Sequence, residues 1–357
     1  MKKIFGYIAV FIICILLSAG TCILVIHFYP KSVKKVTNIS KLEKEVTITD
    51  SGISESVNKI YDATVVVITS KDNKIVGSGS GFVYKKDNNK AYIITNNHVV
   101  SVGNGYNVKL SNEEVVSATL VGSDQLADIA VLCIDASKVL KVATLGDTAK
   151  MNVGDTVFAV GAPLDYETYS FSVARGILSG KDRAVEVSLN NSYSADWVMK
   201  VLQTDTAINS GNSGGPLCNA NGEVIGVTNM KLAKTGVEGM GFAIAIEDAK
   251  TSADNIVAGT KKEYPYIGIS ISNGSYASYL FGNGSSGEVT ISKIDEKGSA
   301  YKAGLKENDI IVKVDNQKIT SVATLRYYLY QHNIGDTVKL EIKRDGETKK
   351  IDMKLIK

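Results

Sequence analysis

Between Tyr61 and Ile246 the sequence is cut into short β-branched runs: Thr64–Thr69, Gly81–Tyr84, Tyr92–Thr95, Val115–Val121, Ile129–Ile134, Thr156–Val160, Val198–Gln203, Val224–Val227 and Phe242–Ile246. Gly, Asn and Asp punctuate them. Segments this short bury an apolar face by pairing edge to edge, and many of them in series lead to an antiparallel barrel or sandwich. The length of the stretch suits two barrels. Glu247–Ala258 then reads as a helix ended by Gly259, a plausible boundary.

The remainder, Tyr266–Lys357, reads as a smaller mixed unit. Strands are expected near Ile267–Ile271, Glu288–Ile294, Asp309–Val314, Val338–Ile342 and Lys349–Leu355, with helices at Ser299–Ala303 and Ser321–Gln331. No internal repeat is visible.

The N-terminus differs in kind. Ile4 to Phe28 carries no Asp, Glu, Lys or Arg, and crossing a hydrocarbon core takes about 20 residues. A cleaved signal peptide is the competing reading, since Ser18-Ala19-Gly20 loosely matches a small-x-small site, but apolar sequence resumes at Cys22. An uncleaved single-pass transmembrane anchor is expected over residues 1–29, followed by a polar linker over 30–56. Lys2 and Lys3 precede the span while Lys31, Lys34 and Lys35 follow it, so charge leaves its orientation open.

Lys and Arg number 40 against 37 Asp and Glu, and no basic block stands out, which argues against nucleic acid as a partner. Of the four cysteines, Cys14 and Cys22 fall in the apolar span, leaving Cys133 and Cys218, too few for a disulfide framework.

The densest chemical signal is Asn209-Ser210-Gly211-Asn212-Ser213-Gly214-Gly215-Pro216-Leu217. It satisfies the Gly-x-Ser-x-Gly pattern of the α/β-hydrolase nucleophile elbow. That motif, however, needs a strand before it, a helix after it, and an acid and a histidine downstream. Here Pro216 follows at once, Glu223–Val227 reads as a strand, and the one downstream histidine, His332, lies in the smaller unit. A serine hydroxyl usually needs imidazole as its base. Of the three histidines, His27 edges the apolar span and His332 nears a helix end, which leaves His98 in Thr95-Asn96-Asn97-His98-Val99-Val100. Asp128, opening Asp128-Ile129-Ala130-Val131-Leu132, can orient the imidazole by accepting its Nδ1 proton. By composition alone Asp124 is an equal candidate, and either could be a plain turn aspartate.

Taken together, Thr95–Val100, Ala127–Leu132 and Gln203–Leu217 resemble the three motif blocks of the HtrA (Deg) family of trypsin-like serine proteases. Gly79-Ser80-Gly81-Phe82, Val153-Gly154-Asp155, Gly161-Ala162-Pro163 and Gly176-Ile177-Leu178-Ser179 add to the likeness. The resemblance implies a mostly β, chymotrypsin-like double β-barrel protease domain over 57–259. It also implies His98 as general base, Asp128 as orienting acid and Ser213 as nucleophile, with backbone N–H groups of Gly211 and Ser213 as the oxyanion hole. Ser210 departs from the proline that most relatives carry, which leaves φ before the hole less restricted. Asn212 stands where digestive trypsins have the aspartate that pairs with a new N-terminus, so control by loop rearrangement is implied rather than zymogen cleavage. Ala207, Ile208 and Val227 match positions lining the primary specificity (S1) pocket; with no acid among them, apolar residues before the cut are expected.

Pro265-Tyr266-Ile267-Gly268-Ile269 and Ala303–Ile311 resemble segments of a PDZ domain, implying an α+β PDZ domain over 260–357. A peptide C-terminus would then be held by backbone N–H groups at Ile267, Gly268 and Ile269 and walled by Leu325 and Tyr328. The combined expectation is a membrane-anchored, extracytoplasmic serine endopeptidase of unfolded or misfolded envelope proteins. A homotrimer is implied, with no metal or organic cofactor called for. The competing class is a PDZ adaptor or holdase chaperone with a latent protease fold.

Overall fold

The short β-branched runs pair into two closed six-stranded barrels. The computed structural model describes residues 11–21, 51–162, 167–187, 197–229, 239–260, 263–273 and 289–357. Helix α1 (Ser51–Tyr61) leads into the first barrel, formed by β1 (Thr64–Lys71), β2 (Lys74–Lys86), β3 (Lys90–Thr95), β4 (Gly105–Lys109), β5 (Val115–Asp124) and β6 (Ile129–Asp135). Around it the order is β1-β2-β3-β6-β5-β4. A two-residue turn joins β1 to β2, with Asp72 and Asn73 both at positive φ (51° and 61°), as a twisted hairpin of the I′ type requires.

The second barrel comprises β7 (Thr156–Gly161), β8 (Ser172–Val187), β9 (Trp197–Thr204), β10 (Pro216–Asn219), β11 (Val224–Thr228) and β12 (Gly241–Ala245). Its order is β7-β8-β9-β12-β11-β10, the same circuit as the first. The sequence carries no visible repeat because pairing order is fixed by backbone hydrogen bonds, which constrain side chains only to alternate.

Each barrel has its own filling. Val65, Val67, Ile93 and Leu132 pack inside the first, and Val157, Leu178, Leu217 and Ile225 inside the second. A third and larger cluster draws Phe82, Ile94 and Ile129 from one barrel and Phe158, Val227 and Ile244 from the other, with Ile246 and Ala253 of helix α3 (Ile246–Ala258). Burying a side chain of this size contributes about 1.5–3 kcal/mol, so the seam between the barrels is a core in its own right. α3 stops at Gly259 in the left-handed region (φ 67°), the expected glycine cap.

A separate sheet follows in the order β13-β14-β15-β17-β18, with β16 paired to β15. Its strands are β13 (Ile269–Asn273), β14 (Val289–Ile294), β15 (Ile310–Val314), β16 (Gln317–Lys318), β17 (Thr337–Arg344) and β18 (Glu347–Lys354), with helices α4 (Ser299–Lys302) and α5 (Val322–Leu329). β13 is an edge strand.

Three barrel strands differ from expectation. β4 is short, β8 is broken in pattern by Gly176, Gly180 and Asp182, and β10 begins at Pro216. None offers a run of β-branched residues long enough to stand out; the barrels recruit them through neighbours. Most of the expected membrane span falls outside the described residues. Residues 11–21 are helical, and among the described residues no helix is long and apolar enough to cross a membrane.

Candidate active site

His98 follows β3 on a single-turn helix, α2 (Asn97–Val100). The loop that carries Asp128 wraps this turn. Asp128 O accepts from Asn96 Nδ2 at 2.8 Å and from the Asn97 N–H at 3.2 Å. Its carboxylate is fully engaged as well: Oδ1 takes the His98 N–H at 2.9 Å, and Oδ2 takes His98 Nδ1 at 2.7 Å and Asn229 Nδ2 at 2.7 Å. Asp128 is buried, and these donors replace the water that burial removes. A proton on Nδ1 would point at Asp128 Oδ2 through this contact and leave the Nε2 lone pair free.

Asp128 sits at φ 52°, a left-handed conformation that Asp tolerates better than most side chains. The competing Asp124 has a different task. Its Oδ1 accepts the N–H groups of Leu126 (2.9 Å) and Ala127 (3.1 Å), closing the β5–β6 turn. His332 meets Asp315 at 3.2 Å in the smaller sheet, and His27 lies outside the described residues.

The serine loop is two consecutive turns. Asn212 N–H donates to Asn209 O at 3.0 Å with Gly211 at φ 98°, and Gly215 N–H donates to Asn212 O at 2.9 Å with Gly214 at φ 88°. Ser210 and Ser213 are not at positive φ, so each turn is of type II, with glycine at the third position where φ must be positive. A side chain at Gly214 would put Cβ 2.2 Å from Ser80 O. The glycine spacing in the motif is thus the spacing of the turns. In a type II turn the central peptide is turned over relative to type I, which decides where the Gly211 N–H points.

Ser80 of β2 clamps this loop across the seam. Its N–H donates to Ser213 O at 2.8 Å, its Oγ donates to Gly211 O at 2.7 Å, and the same Oγ accepts the Ala162 N–H at 3.1 Å. Ser213 is 4% exposed. The Oδ1 atoms of Asn96, Asn212 and Asn229, all buried, have no hydrogen-bond partner among the described residues; such acceptors cost about 1–3 kcal/mol each, so stability is given up around this site.

Sequence reasoning missed Ser80 and Asn229 as participants. Ser80 had a signal, the Gly-Ser-Gly-Phe match at the start of the family likeness; Asn229 had none. The specificity-pocket residues separate. Ala207 is exposed and its carbonyl accepts Asn212 Nδ2 at 3.1 Å. Ile208 is half-buried on the second barrel's core, close enough that a Cβ on Gly241 would stand 2.8 Å from it. Val227 is fully buried in the seam; a register irregularity between β10 and β11 breaks the alternation there, so Ile225 and Val227, two residues apart, enter different cores.

On the smaller sheet, a groove of about 660 Å³ runs between β13 and α5. The carbonyls of Tyr266, Ile267 and Gly268 accept the N–H groups of Ser299 (3.1 Å), Ala300 (3.0 Å) and Asp295 (2.8 Å). All peptide bonds described are trans, so the next N–H in each plane, at Ile267, Gly268 and Ile269, points the opposite way. Three successive N–H groups on one side form an anion-binding concavity. Gly268 makes this possible: its φ is 71°, and a Cβ there would lie 2.6 Å from Gly298 Cα. Leu325 lines the groove as expected. Tyr328 does not: it packs on the sheet's core and against Tyr327, because the helical repeat brings Val322, Leu325, Arg326 and Leu329 to the groove face instead. Among the described residues no cluster suited to a metal ion occurs.

Residues 79–227 match the trypsin-like peptidase domain family, and residues 265–355 match the PDZ domain family. Serine protease Do-like HtrB of Bacillus subtilis is 37% identical over 93% of this chain and 73% of its own length. Serine protease Do-like HtrA of Lactobacillus helveticus is 39% identical over 85% and 75%.

The chain belongs to the Do-like HtrA serine proteases. It spans 65% of the Bacillus subtilis HtrA, with 42% identity over 80% of its own length. The serine endoprotease of Yersinia pestis superposes with a TM-score of 0.63 at 29% identity, covering 85% of this chain and 97% of that one. The HtrA-type protease AlgW with a tripeptide gives 0.63 at 26%, covering 85% and 96%. The two barrels are therefore the chymotrypsin-like pair of an HtrA protease, and the smaller sheet is its PDZ domain.

Proposed function

We propose that this HtrA-family serine endopeptidase cuts unfolded or misfolded envelope proteins by acyl transfer through Ser213. His98 takes the serine proton at Nε2 and returns it to the leaving amine, and Asp128 holds the imidazole and offsets its charge. The N–H groups of Gly211 and Ser213 receive the oxyanion. One such donor is worth about a hundredfold to a thousandfold in rate. The observation that carries the assignment is the 2.7 Å pairing of His98 Nδ1 with a buried carboxylate whose oxygens also accept the His98 N–H and Asn229 Nδ2. The paired type II turns support a Gly211 N–H turned toward the reacting carbonyl.

The same reading takes residues 57–259 as the protease domain and 260–357 as a PDZ domain that receives chain ends at Ile267, Gly268 and Ile269. An N-terminal single-pass anchor with both domains outside the cytoplasm, and a homotrimer built through the protease domain, rest on the apolar leader and on family likeness. The test is cleavage of an unstructured protein by the full chain in detergent, beside Ser213→Ala, with labelling by a serine-reactive phosphonate. Loss of both cleavage and labelling in the variant is expected. Equal cleavage by the two forms would remove Ser213 from the mechanism; no cleavage by either folded form would favour an adaptor or holdase.

A further inference from the structure

From the groove between β13 and α5 we infer a preference for polypeptide C-termini that alternate apolar, acidic, apolar over their last three residues. The inference rests on the reading of the PDZ groove as a site for chain ends and specifies which ends it takes.

A peptide whose carboxylate lies against the N–H groups at 267–269 must run antiparallel to β13 as a new edge strand. Its side chains then alternate between two faces. The last and third-from-last point toward α5, where Val322, Leu325 and Leu329 stand with Ile269 and Ile271. Arg326 stands on the same face but is already engaged by an interaction of its own, so the wall offers mainly carbon at both places. A polar third-from-last residue would be buried there at the cost of its hydration.

The second-from-last residue faces the other way, beside Ser270. Ser270 pairs in register with Lys293 on β14, and Lys293 also lines the groove. The Lys293 side chain is exposed and makes no hydrogen bond or ion pair among the described residues. The nearby Asp295 is already committed, accepting from Tyr266 Oη at 2.7 Å and the Lys297 N–H at 2.8 Å. Strands are spaced about 4.8 Å apart, so an added strand lies roughly 10 Å from β14, a gap that a lysine and a glutamate side chain together close. Lys293 is thus the charge the second-from-last side chain meets.

The test titrates the full chain in detergent with N-terminally labelled peptides ending in Val-Glu-Val, Val-Lys-Val or Asp-Glu-Val, and with Val-Glu-Val amidated, read by anisotropy. The Glu peptide should bind roughly three- to tenfold tighter than the Lys peptide at low salt, the range of an exposed pair exchanged for a like-charge one, with the gap closing at high salt. Lys293→Glu should reverse the order. Asp-Glu-Val should bind at least about tenfold more weakly than Val-Glu-Val. Equal affinity for the Glu and Lys ends, or no reversal in Lys293→Glu, overturns the acidic preference, and tight binding of Asp-Glu-Val overturns the apolar one. Undiminished binding of the amidated peptide is a different failure, since it removes the chain-end reading itself.

Discussion

Ser80→Ala removes one oxygen that holds two backbone groups. In the folded protein that oxygen donates to Gly211 O at 2.7 Å and accepts the Ala162 N–H at 3.1 Å, with no exposure to solvent. The vacated space is smaller than the roughly 30 Å³ a water occupies, so both groups lose a partner without a replacement. Each costs about 1–3 kcal/mol, so a combined loss of about 2–6 kcal/mol is expected in urea denaturation. The kinetic effect should be larger. Gly211 O belongs to the next peptide plane, so its release loosens Gly211 on its far side; because glycine accepts either sign of φ, the adjoining Ser210–Gly211 peptide is then freer to turn over, converting the type II turn to type I and directing the Gly211 N–H away from the substrate. Loss of that donor should lower kcat by about a hundredfold to a thousandfold. KM should change little, and phosphonate labelling of Ser213 should slow in parallel. The assay is steady-state cleavage of a fluorogenic peptide beside Ser213→Ala as the floor. A variant that is destabilised yet turns over at the wild-type rate would refute the claim that Ser80 holds the oxyanion turn; unchanged stability would refute the hydrogen-bond argument itself.

Asn229→Leu keeps the branching and heavy-atom count but removes the 2.7 Å donor to Asp128 Oδ2; a bond to a charged group is worth about 1.5–3 kcal/mol, so kcat should fall by tenfold or more, and an unchanged kcat would reduce Asn229 to core packing. In the PDZ domain, Arg344 binds the wholly buried Asp309 carboxylate through two contacts of 2.7 Å, and Arg344→Ala should cost about 3–5 kcal/mol by stranding that charge. Burial opposes ionisation of Asp309, but hydrogen bonds from Arg344 and the Lys306 N–H, with their charges, outweigh it and hold its carboxyl below the ordinary range. The pair's stabilisation is therefore full above the unfolded carboxyl value of about 3.9 and is lost as pH falls below it toward the folded value; urea melts from pH 7 to 2 should show that decline in the wild type and a shallower one in the variant. Finally, Trp197, the single tryptophan, stands 5.8 Å from the ring of Tyr330, which also lines the PDZ groove. Saturating peptide should shift its emission and Tyr330→Ala should abolish the response, whereas a silent Trp197 under proven binding would show that groove and barrel do not communicate through this contact.

How far a sequence reports its fold depends on whether the relevant constraint is local. Most of the β-branched runs became strands at nearly the expected places, α3 ended at Gly259, and the glycines of the serine motif proved to be the two positive-φ positions of successive turns. Each is dictated by neighbours a few residues away: alternation, a cap, a turn. β8 and β10 were harder, since a strand with Gly and Asp inside it, or one that starts on Pro, is held by its partners across the barrel rather than by its own propensity.

The sequence alone therefore determined the kinds of element and the chemical parts, namely an imidazole, candidate acids, a hydroxyl on a glycine-rich turn, and a glycine-containing loop before an edge strand. Read residue by residue, Asp128 and Asp124 were equal and family likeness alone favoured Asp128; the tertiary structure supplies the physical reason, since Asp128 reaches His98 while Asp124 closes the β5–β6 turn. Packing also brought in Asn229 and Ser80, from strands far along the chain, moved Val227 into the seam, and exchanged Tyr328 for the face that carries Val322 and Leu329. The physical reason is the same in each case. Turns and caps close over a few bonds and leave a trace in composition, whereas a hydrogen bond across a core joins residues whose identities along the chain carry no mark of each other.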